Sequence, residues 1–277
     1  MDTEIKINDN KLDTNKYKTS STFSCLIAII VMKEEFEIIV LKDGYILDEN
    51  FTNENKEILI CYRKEYNINN KIINSYILSG AQDPLYKLSP VGADIAHTLT
   101  YLGIKKYNPD LVVNIGYSGS TGYNNSLKIG DVICSESHGL YFNRECIIPA
   151  YAPLVRGVYP VPNTSCTIAK SLNYIPGIIG TSDSFVTCEG SNAIEKKITC
   201  VEMEFNAVSK VSYTLNKPII GLKLISDISN NNKNEREDEF AYSLENLKTK
   251  LHSEFYRLIK YLSENNNFNS FLMNSNN

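Results

Sequence analysis

Three carboxylates gather between residues 197 and 227, KITCVEMEFNAVSKVSYTLNKPIIGLKLISD, and they are the first candidates for chemistry. Glu202 and Glu204 bracket Met203 at the end of a short β-rich run, 198–203. Asp227 follows Ser226 after an apolar run, 219–225, of the kind that forms a strand buried on both faces. Between the runs, residues 207–215 carry apolar side chains at helical spacing, and Pro218 opens the second run. The unit reads strand–helix–strand. In open α/β sheets small ligands bind beyond the carboxyl ends of parallel strands, so acids delivered by neighbouring strands can face one small molecule. Each acid also has a plainer reading. Glu204 suits the first turn of a helix, and Ser226-Asp227 suits a cap or turn after a strand. Alternation along the first strand sends Glu202 and Glu204 to one face, which weighs against that reading. Lys223, inside an otherwise apolar run, is either a stem reaching solvent or a cation paired to a buried acid.

Three other segments carry candidate residues. Residues 26–31 form a buried strand, and Met32, Lys33, Glu34 and Glu35 follow it as an acidic helix start. Residues 111–115 form another strand that runs into Gly116, Tyr117, Ser118 and Gly119, a glycine-rich turn. Glycine serves any tight turn, but after a buried strand such a turn also suits a cradle for a ligand. The stretch 177–186 has strand character and closes on Ser182, Asp183, Ser184, Phe185 and Val186. Phe185 reads equally as core and as a ring that stacks on a ligand.

The elements that must position these residues are legible from pattern. Residues 58–62 and 72–79 read as antiparallel strands around the Asn-rich turn at 67–70. After a loop at 80–90, residues 91–107 form a helix that ends near Asn108-Pro109, and the strand at 111–115 follows. That spacing favours a parallel crossover. Residues 131–135 make a short strand, and residues 143–163, with prolines at 149, 153, 160 and 162, read as a long irregular loop. A loop of that length in a compact domain signals a lid or a partner contact. Residues 236–263 read as one long amphipathic helix with Phe240, Leu244, Leu247, Leu251, Phe255 and Ile259 inward. The expectation is a single α/β domain over residues 22–263, with a central mixed β-sheet flanked by helices. Residues 1–21 read as a disordered tail and residues 264–277 as an Asn-rich tail.

Composition narrows the function. A net charge of −4 over 277 residues argues against a nucleic-acid or acidic-membrane partner, while leaving a small ligand open. Seven scattered cysteines, without a C-x-x-C pair, speak against a zinc site or disulfide framework and suit a reducing cytoplasm. The N-terminal residues do not read as a signal peptide, and the apolar stretch at 25–32 is too short to span a bilayer.

Val201-Glu202-Met203-Glu204 with Ile225-Ser226-Asp227 resembles the signature of the nucleoside phosphorylase and nucleosidase superfamily. Over about residues 25–262 the chain is most similar to the methylthioadenosine/S-adenosylhomocysteine nucleosidases, plant-type members especially. The resemblance implies hydrolysis of the N-glycosidic bond of an adenine thionucleoside, with no metal or organic cofactor, in a cytoplasmic homodimer. By that likeness Asp227 protonates the purine at N7, and Glu204 binds the ribose hydroxyls, helped by Met203 and Glu202. Residues 31–35 resemble the nucleosidase A-M-x-x-E element, so Glu35 would aim the water beside Met32. Gly116, Tyr117 and Ser118 stand in the family's glycine turn, with Tyr117 where a small hydroxyl residue is usual. Phe185 would stack on the purine, and the backbone of Val186 would read its edge. Two rivals stand beside this expectation. One is a purine nucleoside phosphorylase, which needs an anion site, although the arginines at 63, 144, 156, 236 and 257 avoid the candidate segments. The other is a catalytically weak nucleoside-binding protein, favoured only by Tyr117.

Overall fold

A computed structural model of the chain describes residues 23–162, 164–185, 197–228 and 233–264. The two tails read from the sequence, apart from Glu264, lie outside the described residues, as does Val186. Strand β1 (Cys25–Ile29) leads into helix α1 (Lys33–Asp43), which stops at Gly44 with its φ of 67° in the left-handed region. A short edge strand β2 (Ile46–Leu47) and helix α2 (Glu49–Glu54) precede the hairpin β3 (Leu59–Ile68) and β4 (Lys71–Gly80). Ile68 pairs with Lys71, so the connection is a two-residue turn. Asn69 and Asn70 have φ of 53° and 62°, the conformation a primed hairpin turn requires and asparagine tolerates.

Helix α3 (Ala93–Tyr107) crosses from β4 to β5 (Leu111–Ser120), and both strands run parallel to β1, which lies between them. The chain continues through β6 (Val132–Tyr141), helix α4 (Ala152–Arg156), β7 (Tyr159–Pro160), helix α5 (Thr164–Leu172) and β8 (Ile175–Thr181). Then come β9 (Ile198–Glu202), helix α6 (Phe205–Thr214), β10 (Ile219–Ile228), helix α7 (Lys233–Asn246) and helix α8 (Lys248–Glu264).

The strand order is β10-β6-β8-β9-β5-β1-β4-β3-β2, and β10 also pairs with β5. That extra pairing closes β5, β10, β6, β8 and β9 into a barrel, from which β1, β4, β3 and β2 extend as an open arm. The mixed sheet expected from the sequence is present, but the open-sheet geometry is not. Strands β9 and β10 are not parallel neighbours; they flank β5 on opposite sides, β10 parallel to it and β9 antiparallel. Barrel closure, rather than adjacency in an open sheet, brings the two acidic strand ends together.

Strands β5 and β10 are buried on both faces. Leu111, Val113 and Ile115 of β5 join the core beneath α1 and α8, where Phe36, Ile39, Leu251, Phe255 and Ile259 pack. Val112 turns instead to the core beneath α3 and α6, with Leu99, Ala207, Val208 and Val211.

Four boundary expectations are corrected. Residues 116–120 are not a turn: β5 continues through them, because β10 and β9 supply pairing partners out to Ser120. Strand β6 runs on to Tyr141 across a register shift between Ser135 and Gly139, where Ser137 has a φ of 55°. That bulge interrupts the alternation on which the shorter strand was read. The helix expected at 236–263 is two helices that part at Leu247. Just before the break, the Asn246 side chain donates to the Tyr242 carbonyl at 2.8 Å, a bond that competes with the helical ladder. Residues 143–163 are not wholly irregular, since prolines at the first turns of a 3₁₀ turn (Pro149–Tyr151) and of α4 start short helices there.

Candidate active site

A cavity of about 320 Å³ opens where β5, β9 and β10 meet the first turn of α1, a volume suited to a small ligand. Its walls hold Glu35, Glu202, Glu204 and Asp227, with Met32, Tyr117, Ser118, Met203, Ser226 and Phe185. The structure thus gathers ten of the sequence candidates. Gly116 stands just behind the wall, and Val186 lies outside the described residues.

Glu35 is buried at the start of α1, and its Oε1 accepts the Tyr117 backbone N–H at 2.7 Å. Gly116 makes that approach possible, because a Cβ there would lie 2.6 Å from the same oxygen. This is a steric need for glycine in an extended strand, not the turn that the sequence suggested. Burial pushes the Glu35 carboxyl up to about 8; Lys223 opposes the shift and Glu204 adds to it.

Glu204 caps α6 from the end of β9 and is partly open to the cavity. Its Oε1 accepts the Gly92 N–H at 2.8 Å, at the N-terminus of α3. Burial and then the Glu202 carboxylate push Glu204 up to about 7, against Lys223 and the Gly92 hydrogen bond. The plain reading of Glu204 as a helix-start acid is therefore true of its backbone, while its carboxyl stays at the cavity wall.

Glu202 does something different from what the resemblance implied. Its carboxylate meets Lys223 Nζ at 2.9 Å, with both side chains 2% exposed. It also accepts the Thr181 hydroxyl at 2.6 Å and the backbone N–H groups of Glu204 and Phe205 at 3.0 and 2.8 Å. A carboxylate holding these partners has little capacity left for a ribose hydroxyl. Lys223 is the paired cation, not a snorkelling stem. Burial alone would drive its ammonium down, but Glu202, Glu204 and Glu35 more than offset this and hold it above its usual range.

Asp227 is 1% exposed and is the penultimate residue of β10. The Ser226 hydroxyl lies 2.9 Å from its Oδ1 and 3.1 Å from the Ser118 carbonyl oxygen. Further along, Ile228 N–H donates to Glu239 Oε2 at 2.8 Å, which ties the strand end to α7. Phe185 is 44% exposed, so it is not core; its ring meets Phe240 of α7 edge-on at 5.8 Å, and both rings line the cavity.

Five further residues line the cavity: Gly119, Ser184 and Val201, which stand inside the candidate motifs without having been given a role, and Val91 and Phe240, which lie outside them. Phe240 was visible as one apolar position of a helix, where nothing in the spacing separated it from Leu244 or Leu247, and as the end of Asp238-Glu239-Phe240, which resembles the D-E-F-like element beside the 5′ pocket of the nucleosidases. Among the described residues no arginine lines the cavity, whereas four carboxylates do. Such a wall can hold a neutral nucleoside, and those of its carboxyls that are ionised can steady a cationic sugar.

Comparison with known proteins agrees with this geometry. The family model described as phosphorylase superfamily matches residues 31–260. A 5′-methylthioadenosine/S-adenosylhomocysteine nucleosidase of Buchnera aphidicola subsp. Acyrthosiphon pisum is 34% identical over 158 residues, covering 52% of this chain and 67% of the relative. The protein of that name from Arabidopsis thaliana is 24% identical over 244 residues, covering 87% of this chain and 92% of its own. The apo structure of the Arabidopsis thaliana 5′-methylthioadenosine nucleosidase superposes with a TM-score of 0.79 at 22% identity, covering 88% and 98% of the two chains.

Proposed function

The chain belongs to the phosphorylase superfamily, and we propose that within it the chain is a nucleosidase, hydrolysing the N-glycosidic bond of 5′-methylthioadenosine to adenine and methylthioribose. The observation that supports the choice of water over phosphate is the cavity wall, which holds four carboxylates and, among the described residues, no arginine. Glu204 takes the ribose hydroxyls, and the Phe185 ring stacks on the purine. Asp227 gives its proton to N7 as the bond to the anomeric carbon breaks, so adenine leaves neutral with the bonding pair. The oxocarbenium-like sugar left behind sits among carboxylates that favour it. Glu35 in its ionised form takes a proton from water as the water oxygen bonds to the anomeric carbon. Lys223 and Glu202 keep Glu35 and Glu204 in place without touching the nucleoside.

Purified protein incubated with methylthioadenosine should release adenine and free methylthioribose at a rate that does not change when phosphate is added. Formation of the sugar 1-phosphate, with turnover rising as phosphate is added, would establish the phosphorylase reading instead.

Two broader features accompany this reading. The exposed apolar side chains Leu85, Leu88, Ile147, Tyr151 and Leu154 support a homodimer. The six described cysteines are free, which supports residence in the reducing cytoplasm, and no described helix is long and apolar enough to cross a membrane.

A further inference from the structure

Strands β6 and β8 run parallel to their last pair, Tyr141 with Thr181, and both chains then leave the sheet side by side. The two departing segments are laced together. Asn143 Nδ2 donates to the Ser182 hydroxyl at 3.0 Å, and Arg144 grips Asp183 with two bonds, Nε to Oδ2 at 3.0 Å and Nη2 to Oδ1 at 2.7 Å. The guanidinium also lies over the Tyr141 ring, 3.5 Å from its centre. Ser182 is fixed from the other side, its N–H donating to the Glu202 carbonyl at 2.8 Å and its hydroxyl accepting the Ser184 N–H at 3.3 Å. Phe185 is the next residue, half-exposed, with its ring edge-on to Phe240.

The geometry points to Arg144 as a positioning residue: by clamping Asp183 it sets where Phe185 stands in the cavity wall, and so how well the site holds its ligand. Arg144 itself does not line the cavity that holds the four carboxylates. An exposed ion pair is ordinarily worth little, but a planar fork on both carboxylate oxygens, stacked on a ring, fixes a direction as well as a distance. Lysine at this position would keep the charge and lose the fork.

The kinetic part of the inference rests on the nucleosidase reading. Arg144→Ala should raise KM for methylthioadenosine about fivefold, the scale of one good surface ion pair, with kcat within about twofold of wild type. Asp183→Asn should do the same, the double variant should be no worse than either single one, and Arg144→Lys should fall between. The second readout is independent of turnover. The chain has no tryptophan, so Phe185→Trp gives a single reporter at the clamped position. Its emission should shift to the red and become more open to acrylamide quenching when Arg144→Ala is added. Unchanged emission and quenching, or additive effects of Arg144→Ala and Asp183→Asn on KM, would overturn the assignment. If no adenine is released at all, the nucleosidase reading fails, and the tryptophan signal still decides whether Arg144 holds Phe185.

Discussion

Asp227 and Glu35 are each one atom exchange away from a decisive test. Asp227→Asn keeps shape and burial but cannot act as the acid, so kcat should fall at least about 10²-fold with the fold intact. A fully active Asn variant would remove Asp227 from the mechanism. Glu35 offers a second readout in pH. Its carboxyl stands at about 8 in the folded protein against 4.5 ordinarily. Between those values the folded chain keeps a proton that the unfolded chain has released, so stability falls as pH rises through the window. Below it both states are protonated, and above it both are ionised. Glu204, raised from 4.5 to about 7, slopes the same way. Wild-type protein should therefore melt at a lower temperature at pH 8 than at pH 5.5. Glu35→Gln should flatten much of that slope and melt higher than wild type at pH 8, while losing at least about 10²-fold in kcat. A pH–melting slope unchanged by the substitution would show that Glu35 is not held protonated by its site. Each acid was legible as a candidate because it stood at the edge of an apolar run, while the role proposed for it came from the family resemblance. The job of Glu202 was not legible, since its partners Thr181 and Lys223 come from two other strands and no local pattern joins them.

Among the elements, turn chemistry was the most legible and strand ends the least. The Asn-rich stretch at 67–70 announced the β3–β4 hairpin, and Asn69 and Asn70 do occupy its two left-handed positions. The favoured pair for such a turn is Asn-Gly, so Asn70→Gly should raise unfolding free energy by about 0.5 kcal/mol. A double Asn69→Ala, Asn70→Ala change should lower it by about 1–2 kcal/mol. Urea melts of the three proteins would check both signs. By contrast, β5 was expected to end in a turn because glycines at 116 and 119 look like turn residues. Those residues remain in the strand because β10 and β9 pair with them, and because Gly116 must leave room for Glu35. Glycine's meaning there depends on a side chain more than eighty residues away, which no window of local sequence contains. The bulge at Ser137 hid the second half of β6 in the same way.

At the scale of the whole molecule, the alternation of strands and helices was enough to give the layers and the mixed sheet. Barrel closure through the β10–β5 pairing was not visible, because it depends on pairing between strands a hundred residues apart. What that closed shape leaves on its outside is a group of apolar side chains that a lone chain gains nothing by exposing. Ile147 is 98% exposed and Leu85 75%, with Tyr151 and Leu154 also open to solvent. Leu154 shares a surface hollow with Ala93 and Asp94 at the start of α3, and Val91, two residues earlier, lines the active cavity. Leu154 therefore stands near the rim of the site. Covering the apolar group with a second copy would bury surface on both chains and narrow the way into the cavity, and a stable pair needs about 800 Å² from each partner. We expect sedimentation velocity to give a dimer at micromolar concentration. Ile147→Asp with Leu154→Asp should shift it to monomer, because carboxylates at the centre of an apolar contact are left without partners. Without the partner's cover the monomer should bind methylthioadenosine more weakly, so KM should rise more than kcat falls. A wild-type monomer, or a variant monomer with unchanged KM, would show that the apolar rim serves neither association nor the site.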